Sequence, residues 1–359
     1  MIKAMQKNNN SLMYLITVFA FLYSGTVIYS PFYASGNAVL SFVLTSVITL
    51  AYTAFVSGYF AKRNGLKLKL QAKFFAVAVS VLAIVPMGAL AADYVRTLAT
   101  FADYYATAFV SVFSAAAAIL IAVYCASREK SSVMGFATLV FWVFVLWTLA
   151  GIFAFMTTKN IVPLQAPFSN IAQTDWFVFV KNAVYVCIDI TLLTAALCNN
   201  ESDAVRKTAP RAINRGAAAF VLLSGVNIFK NLLLFGDDFA SRLNNPDLAA
   251  IRLIPMVDLP EISVIVNTLA CVLKLAVYSC LVFSVIKDAF GDAYRNLPVI
   301  SAVSSAIFAV WGFMFYLSGE KMAVTGFSSV CLTFCVLLCY VFFSCPVTRQ
   351  KQTNNDDGM

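Results

Sequence analysis

The sequence predicts an all-α polytopic membrane protein of about ten transmembrane helices, and three observations carry that expectation. Of 359 residues, 61% are hydrophobic and only 12% charged, with a mean hydropathy of +0.83, more apolar surface than a soluble fold can bury. Apolar segments of about 20 residues, the length a helix needs to cross the hydrocarbon core, recur along the whole chain. The basic residues also alternate from one connection to the next, as the positive-inside rule requires of a chain that crosses the bilayer repeatedly.

Taken in order, the expected spans are 12–33, 35–61, 74–97, 103–126, 131–157, 174–197, 216–236, 261–286, 297–318 and 324–345. The first lacks a small-residue cleavage site followed by a polar mature domain, so it reads as a retained helix and not a signal peptide. One set of connections holds 17 Lys and Arg, among them Lys3, Lys62, Lys67, Arg128, Arg206, Lys287 and Arg349. The other set holds 5: Arg96, Lys159, Arg242, Arg252 and Lys321. This asymmetry puts both termini in the cytoplasm. Residues 1–345 then form a single transmembrane domain, and 346–359 a polar, Asn- and Asp-rich cytoplasmic tail with the composition of a disordered segment.

Five spans stand on each side of the 158–173 connection, so span 1 runs outward and span 6 inward. Halves 12–157 and 174–345 can therefore form an inverted-topology pair, the layout of many secondary transporters. A ten-helix bundle without pseudo-symmetry fits the same count, and no internal sequence repeat is visible. The loop Asn64–Lys73 is short and basic and suits a surface of anionic headgroups. The 158–173 connection carries Pro163 and Pro167 and reads as a re-entrant or lid segment or as plain loop. Within Asp237–Pro260 a short surface helix is expected around Pro246–Ile254, and the acidic residues on this outer side, Asp237, Asp238, Asp247, Asp258 and Glu261, read as solvated.

Several function classes are excluded or disfavoured. The chain has no His, which removes the commonest general base and metal ligand. The spans show no paired Asp and no Ser/Lys dyad with an evident site, so an enzyme is not expected. No cofactor and no metal are expected either. Cys331, Cys335 and Cys339 share a helix face, and small-residue packing is the plain reading beside a metal or redox one. The net charge of +8 follows from the cytoplasmic loops and does not imply nucleic-acid binding.

The candidate site residues are Ser24, Gly25, Thr26, Asp189, Lys274 and Tyr278. Ser24-Gly25-Thr26 in span 1 is a place for a helix break, because glycine relaxes the backbone and the hydroxyls can bond freed groups. The same residues also suit close helix packing. Ionisable residues inside spans are costly and mark function by default. Asp189 and Lys274 lie near the middle of spans 6 and 8. They can pair structurally, or each can face one end of a zwitterionic ligand. Tyr278 stands one turn from Lys274 on the same face. Thr191 and Thr194 mark a possible second break after Asp189. Lys181 and Lys230 lie nearer span ends, where a long side chain can snorkel to the interface.

The ordered set Gly25-Thr26 with Pro31, Asn160-Ile161-Val162-Pro163-Leu164, Phe235-Gly236, Ser241-Arg242-Leu243, Pro246, Leu248–Arg252, Lys287-Asp288-Ala289-Phe290-Gly291 and Arg295-Asn296-Leu297-Pro298 resembles the B-subunit permeases of spore nutrient-germinant receptors. The resemblance covers most of the chain. It departs at Leu259-Pro260-Glu261, where that family often has an Arg, and at Tyr124–Lys130, where its Gly-x-Glu feature is poorly kept. What it implies is a leucine-transporter-like fold of the amino acid–polyamine–organocation superfamily in the inner membrane of a spore-forming bacterium. It also implies a small nutrient ligand, often an amino acid, and two partners: a larger membrane A subunit and a lipoprotein C subunit. A secondary amino acid permease is the alternative function.

Overall fold

In the computed structural model the described residues are 2–29, 32, 37–62, 120–122, 124, 130–157, 162, 174–198, 203–243, 246–253 and 260–290, and apart from short connections they are helical. The helices are α1 (Ile2–Tyr29), α2 (Ala38–Lys62), α3 (Lys130–Thr157), α4 (Trp176–Cys198), α5 (Asp203–Phe235), α6 (Asp237–Arg242), α7 (Pro246–Arg252) and α8 (Pro260–Phe290). Three segments, Ala38–Tyr59, Lys130–Thr157 and Thr208–Phe235, are long and apolar enough to cross a membrane. Shorter apolar stretches run through Ser11–Val27 of α1, Asn182–Thr194 of α4 and Ile265–Cys280 of α8. The expected spans 74–97, 297–318 and 324–345, nearly all of 103–126, the loop Asn64–Lys73, the three cysteines from Cys331 to Cys339 and the 346–359 tail lie outside the described residues.

Helix α1 is the centre of what is described. It packs against α3, α4, α5 and α8. Its run Thr17–Ser24 is buried at every position, so no side of it is left for solvent or lipid there. A helix apolar all round is the sequence form that suits a central position. Relative directions follow from the contacts. The Tyr14 hydroxyl donates to the Leu197 carbonyl, while Gly25 lies beside Asp189, so α1 and α4 are antiparallel. Phe21 meets Tyr278 and Gly25 meets Lys274, so α1 and α8 are antiparallel as well. An outward span 1 with inward spans 6 and 8 needs this same relation.

Helix α5 packs along both α1 and α2. It begins at Asp203, well before the expected start of span 7 at 216, and it contains Pro210. The basic residues between 206 and 215 suggest a loop, but Ala209, Ala212, Ile213, Ala217 and Phe220 are buried and recur at helical spacing. Arg211 and Arg215 point to the exposed side. At Gly216 an added Cβ would stand 2.7 Å from the Leu15 carbonyl oxygen and 2.8 Å from Val18 Cβ, so the glycine lets α5 and α1 approach backbone to backbone.

The end of α5 explains part of the Phe235-Gly236 motif. Gly236 takes φ 72°, a conformation that side chains other than glycine's disfavour, and its N–H closes on the Leu232 carbonyl. The chain then turns into α6, whose Asp237 carboxylate accepts from the Ala38 N–H at the start of α2. Asn37 caps the same end, its side-chain oxygen accepting from the Leu40 N–H at 3.1 Å. Asp237 is therefore not merely a solvated loop charge. The helix expected around Pro246–Ile254 is present as α7 (Pro246–Arg252), and it packs on α3 and α5.

Candidate functional site

Two expected features are absent from the backbone. Helix α1 runs unbroken through Ser24-Gly25-Thr26, and α4 runs unbroken past Thr191 and Thr194. The hydroxyls of Ser24, Thr26 and Thr191 are taken up within their own helices. Ser24 donates to the Ala20 carbonyl at 2.7 Å, Thr26 to the Tyr23 carbonyl at 2.8 Å and Thr191 to the Cys187 carbonyl at 2.9 Å. Each hydroxyl bonds its own helix, the ordinary use of Ser and Thr inside apolar helices. Ser24 and Thr26 thus serve α1 itself.

Gly25 does something else. A Cβ there would lie 3.1 Å from Lys274 Nζ, 3.6 Å from Lys274 Cε and 3.5 Å from Asp189 Oδ2. The missing side chain is the space into which the Lys274 ammonium fits. That ammonium forms an ion pair with Asp189 Oδ2, and the Tyr278 hydroxyl donates to the other oxygen, Oδ1. The structure therefore brings Gly25, Asp189, Lys274 and Tyr278 into one cluster contributed by α1, α4 and α8.

The surroundings of the pair are apolar and tight. Lys274 is 1% exposed. Its Nζ stands 4.6 Å from the centre of the Phe21 ring, and Tyr278 meets the same ring edge to face at 5.6 Å. Phe21 and Gly25 are one turn apart on α1, so one stripe of that helix presents an aromatic face and an open backbone to one ammonium. An isolated ammonium or carboxylate here would carry the full cost of a buried charge, and the pair relieves it. Of the two arrangements open to Asp189 and Lys274, this structure holds the direct pair.

A second cluster was not legible as such. Lys230 is 5% exposed and makes an ion pair with Asp247 Oδ1 of α7 at 3.0 Å. It does not snorkel. Asn231 Nδ2 donates to the same Asp247 oxygen at 2.9 Å. On the inner side Lys230 Nζ lies 3.4 Å from Asn227 Oδ1, the Asn227 amide donates to the Tyr23 hydroxyl, and that hydroxyl shares a hydrogen bond with Thr148 at 3.1 Å. The Lys181 side chain lies outside the described residues. The sequence signal for this cluster was Asn227, Lys230 and Asn231 at spacings of three and four, one polar face in an apolar span.

The two clusters share a construction. In each, a buried lysine from one helix packs on a glycine of another and pairs with an aspartate from a third. At Gly151 of α3 a Cβ would lie only 2.5 Å from Lys230 Nζ. Tyr23 and Gly25 are two residues apart on α1, so the clusters lie on different sides of the central helix. Among the described residues no group of His, Cys, Asp and Glu could hold a metal ion, and Cys187, Cys271 and Cys280 are free thiols.

Fold and clusters together define a helical protein with membrane-length apolar helices and charged pairs buried inside its bundle. No protein-family model matches the chain, and no curated protein matches it.

Proposed function

We propose that the protein is the membrane subunit of a spore nutrient-germinant receptor and that it binds a small zwitterionic nutrient, such as an amino acid, at the Gly25–Asp189–Lys274–Tyr278 cluster. The ordered motifs supply the family reading. The geometry that carries the ligand reading is one observation: a carboxylate and an ammonium, buried together, stand against the open backbone of Gly25. A zwitterion brings the complementary pair. Its amine takes the place of Lys274 beside Asp189, where the Tyr278 hydroxyl already donates, and its carboxylate takes the place of Asp189 beside Lys274. A ligand that meets both charges shifts the equilibrium from the closed pair to the bound state by the difference in those contacts. In this reading the protein sits in the inner membrane of a spore-forming bacterium beside an A and a C subunit.

Gene deletion tests the reading. Mutant spores form normally but lose germination to one nutrient class. Normal germination to every nutrient, together with lost uptake of one amino acid by growing cells, would instead support the amino acid permease.

A further inference from the structure

We propose that Lys230, Asn227 and Asn231 form a second ligand site, for a carboxylate, whose resident occupant in this structure is Asp247. This does not rest on the function proposed above, because it concerns other residues on another side of α1.

The cationic half of the Lys230–Asp247 ion pair is the half built into the bundle. Lys230 is fixed from three long helices. Its ammonium fits over Gly151 of α3, Asn227 of its own helix lies within reach at 3.4 Å, and Asn227 is tied to Tyr23 of α1 and through it to Thr148 of α3. The donor of the second bond to the carboxylate, Asn231, is one residue on. None of these anchors belongs to α7. The carboxylate, by contrast, is carried by a helix of seven residues. Its side chain is 23% exposed, against 4% for Lys230. The cationic half is thus preorganised without Asp247, and the anionic half is the part open to replacement.

Electrostatics then selects the class of ligand. A lysine this deeply buried needs an anion, since an uncompensated ammonium costs several kcal/mol. Two donors, an ammonium and an amide N–H, converge on the single oxygen Asp247 Oδ1, and a charge-assisted hydrogen bond of this kind suits the anionic oxygen of a carboxylate. Lifting α7 removes Asp247, and a small free carboxylate then restores the pairing. The cluster therefore couples the position of α7 to the presence of a carboxylate.

Chemical rescue in the full-length protein in lipid nanodiscs tests this, with sodium acetate as the probe. Asp247→Ala lowers the melting temperature, and acetate recovers part of the loss where the same concentration of sodium chloride does not. Adding Lys230→Met to Asp247→Ala abolishes the acetate response. If Asp247→Ala does not accumulate, Asp247→Asn keeps the shape, removes the charge and gives the same comparison. In the chain carrying only Ala249→Cys, acetate speeds thiol labelling at position 249. Acetate and chloride acting alike on the Asp247 variants would overturn the site. Labelling at position 249 that ignores acetate would overturn the displacement of α7.

Discussion

Gly25 faces the Lys274 ammonium: a Cβ on Gly25 would be 3.1 Å from the lysine nitrogen, closer than ordinary van der Waals contact. That distance makes position 25 a measure of how much room the charged pair needs. An alanine meets only the far end of a flexible side chain, which can give by a few tenths of an ångström. A leucine reaches into the volume that Lys274 and Asp189 share. Gly25→Ala is therefore expected to accumulate in membranes near the wild-type level with a weakened nutrient response. Gly25→Leu is expected to accumulate less and to give no response. Immunoblotting and a germination assay on the same spores check both, and a normal response in Gly25→Leu would count against a ligand at this position.

Gly216 makes a different demand. The atoms a side chain would meet there are the Leu15 carbonyl oxygen and Val18 Cβ, neither of which can rotate away. Gly216→Ala is expected to cost about 1–3 kcal/mol through forced separation of α1 and α5. Gly58 and Gly135 have nothing within 4 Å of an added Cβ. Alanine at either should be neutral or stabilise by up to about 1 kcal/mol, the helix-propensity difference. Thermal melting of the three variants in the same detergent separates the cases, and equal melting temperatures would show that α1 and α5 can part at no cost.

Tyr278→Phe keeps the ring against Phe21 and removes only the hydroxyl that donates to Asp189 Oδ1. A hydrogen bond to a charged group contributes roughly 1.5–3 kcal/mol, so stability should fall by an amount in that range. The nutrient dose–response should move to higher concentration. An unchanged melting temperature and dose–response would mean that the hydroxyl does not support the carboxylate.

Asp189 and Lys274 were legible in the sequence because a charge in the middle of an apolar span stands out, and Tyr278 because it follows Lys274 by one turn. Gly25 was legible as a position but not as a mechanism. A glycine between two hydroxyl residues suits a helix break, and only the neighbouring helices show that its missing side chain makes room for an ammonium. Lys230 was hidden by its place near a span end, where snorkelling is the ordinary outcome. Its partner Asp247 belongs to an acidic loop whose charges look solvated one by one. The start of α5 was hidden because its buried face is made of alanines and one isoleucine, set among the arginines and lysine of a basic stretch.

The charge asymmetry predicts that Asn64 and Arg242 lie on opposite sides of the membrane. With a single cysteine introduced at each position in a cysteine-free background, a membrane-impermeant thiol reagent applied to intact cells should label position 242 and leave position 64 unlabelled. Labelling of both positions from outside would refute the span arrangement.

Asp189 and Lys274 carry the main claim, and a double-mutant cycle tests it most directly. Removing one charge leaves the other buried and uncompensated, so Asp189→Asn and Lys274→Met should each lower stability by roughly 3–5 kcal/mol and reduce abundance. Residues in direct contact couple, so the double variant should regain much of that abundance. A purely structural pair would regain function along with abundance. A ligand site would not, because the groups that meet the amine and the carboxylate of the nutrient are both gone. Measured on spores carrying each variant, the predicted result is a double variant that is abundant but silent to the nutrient. A double variant that germinates as the wild type does would contradict the assignment of this pair to ligand binding.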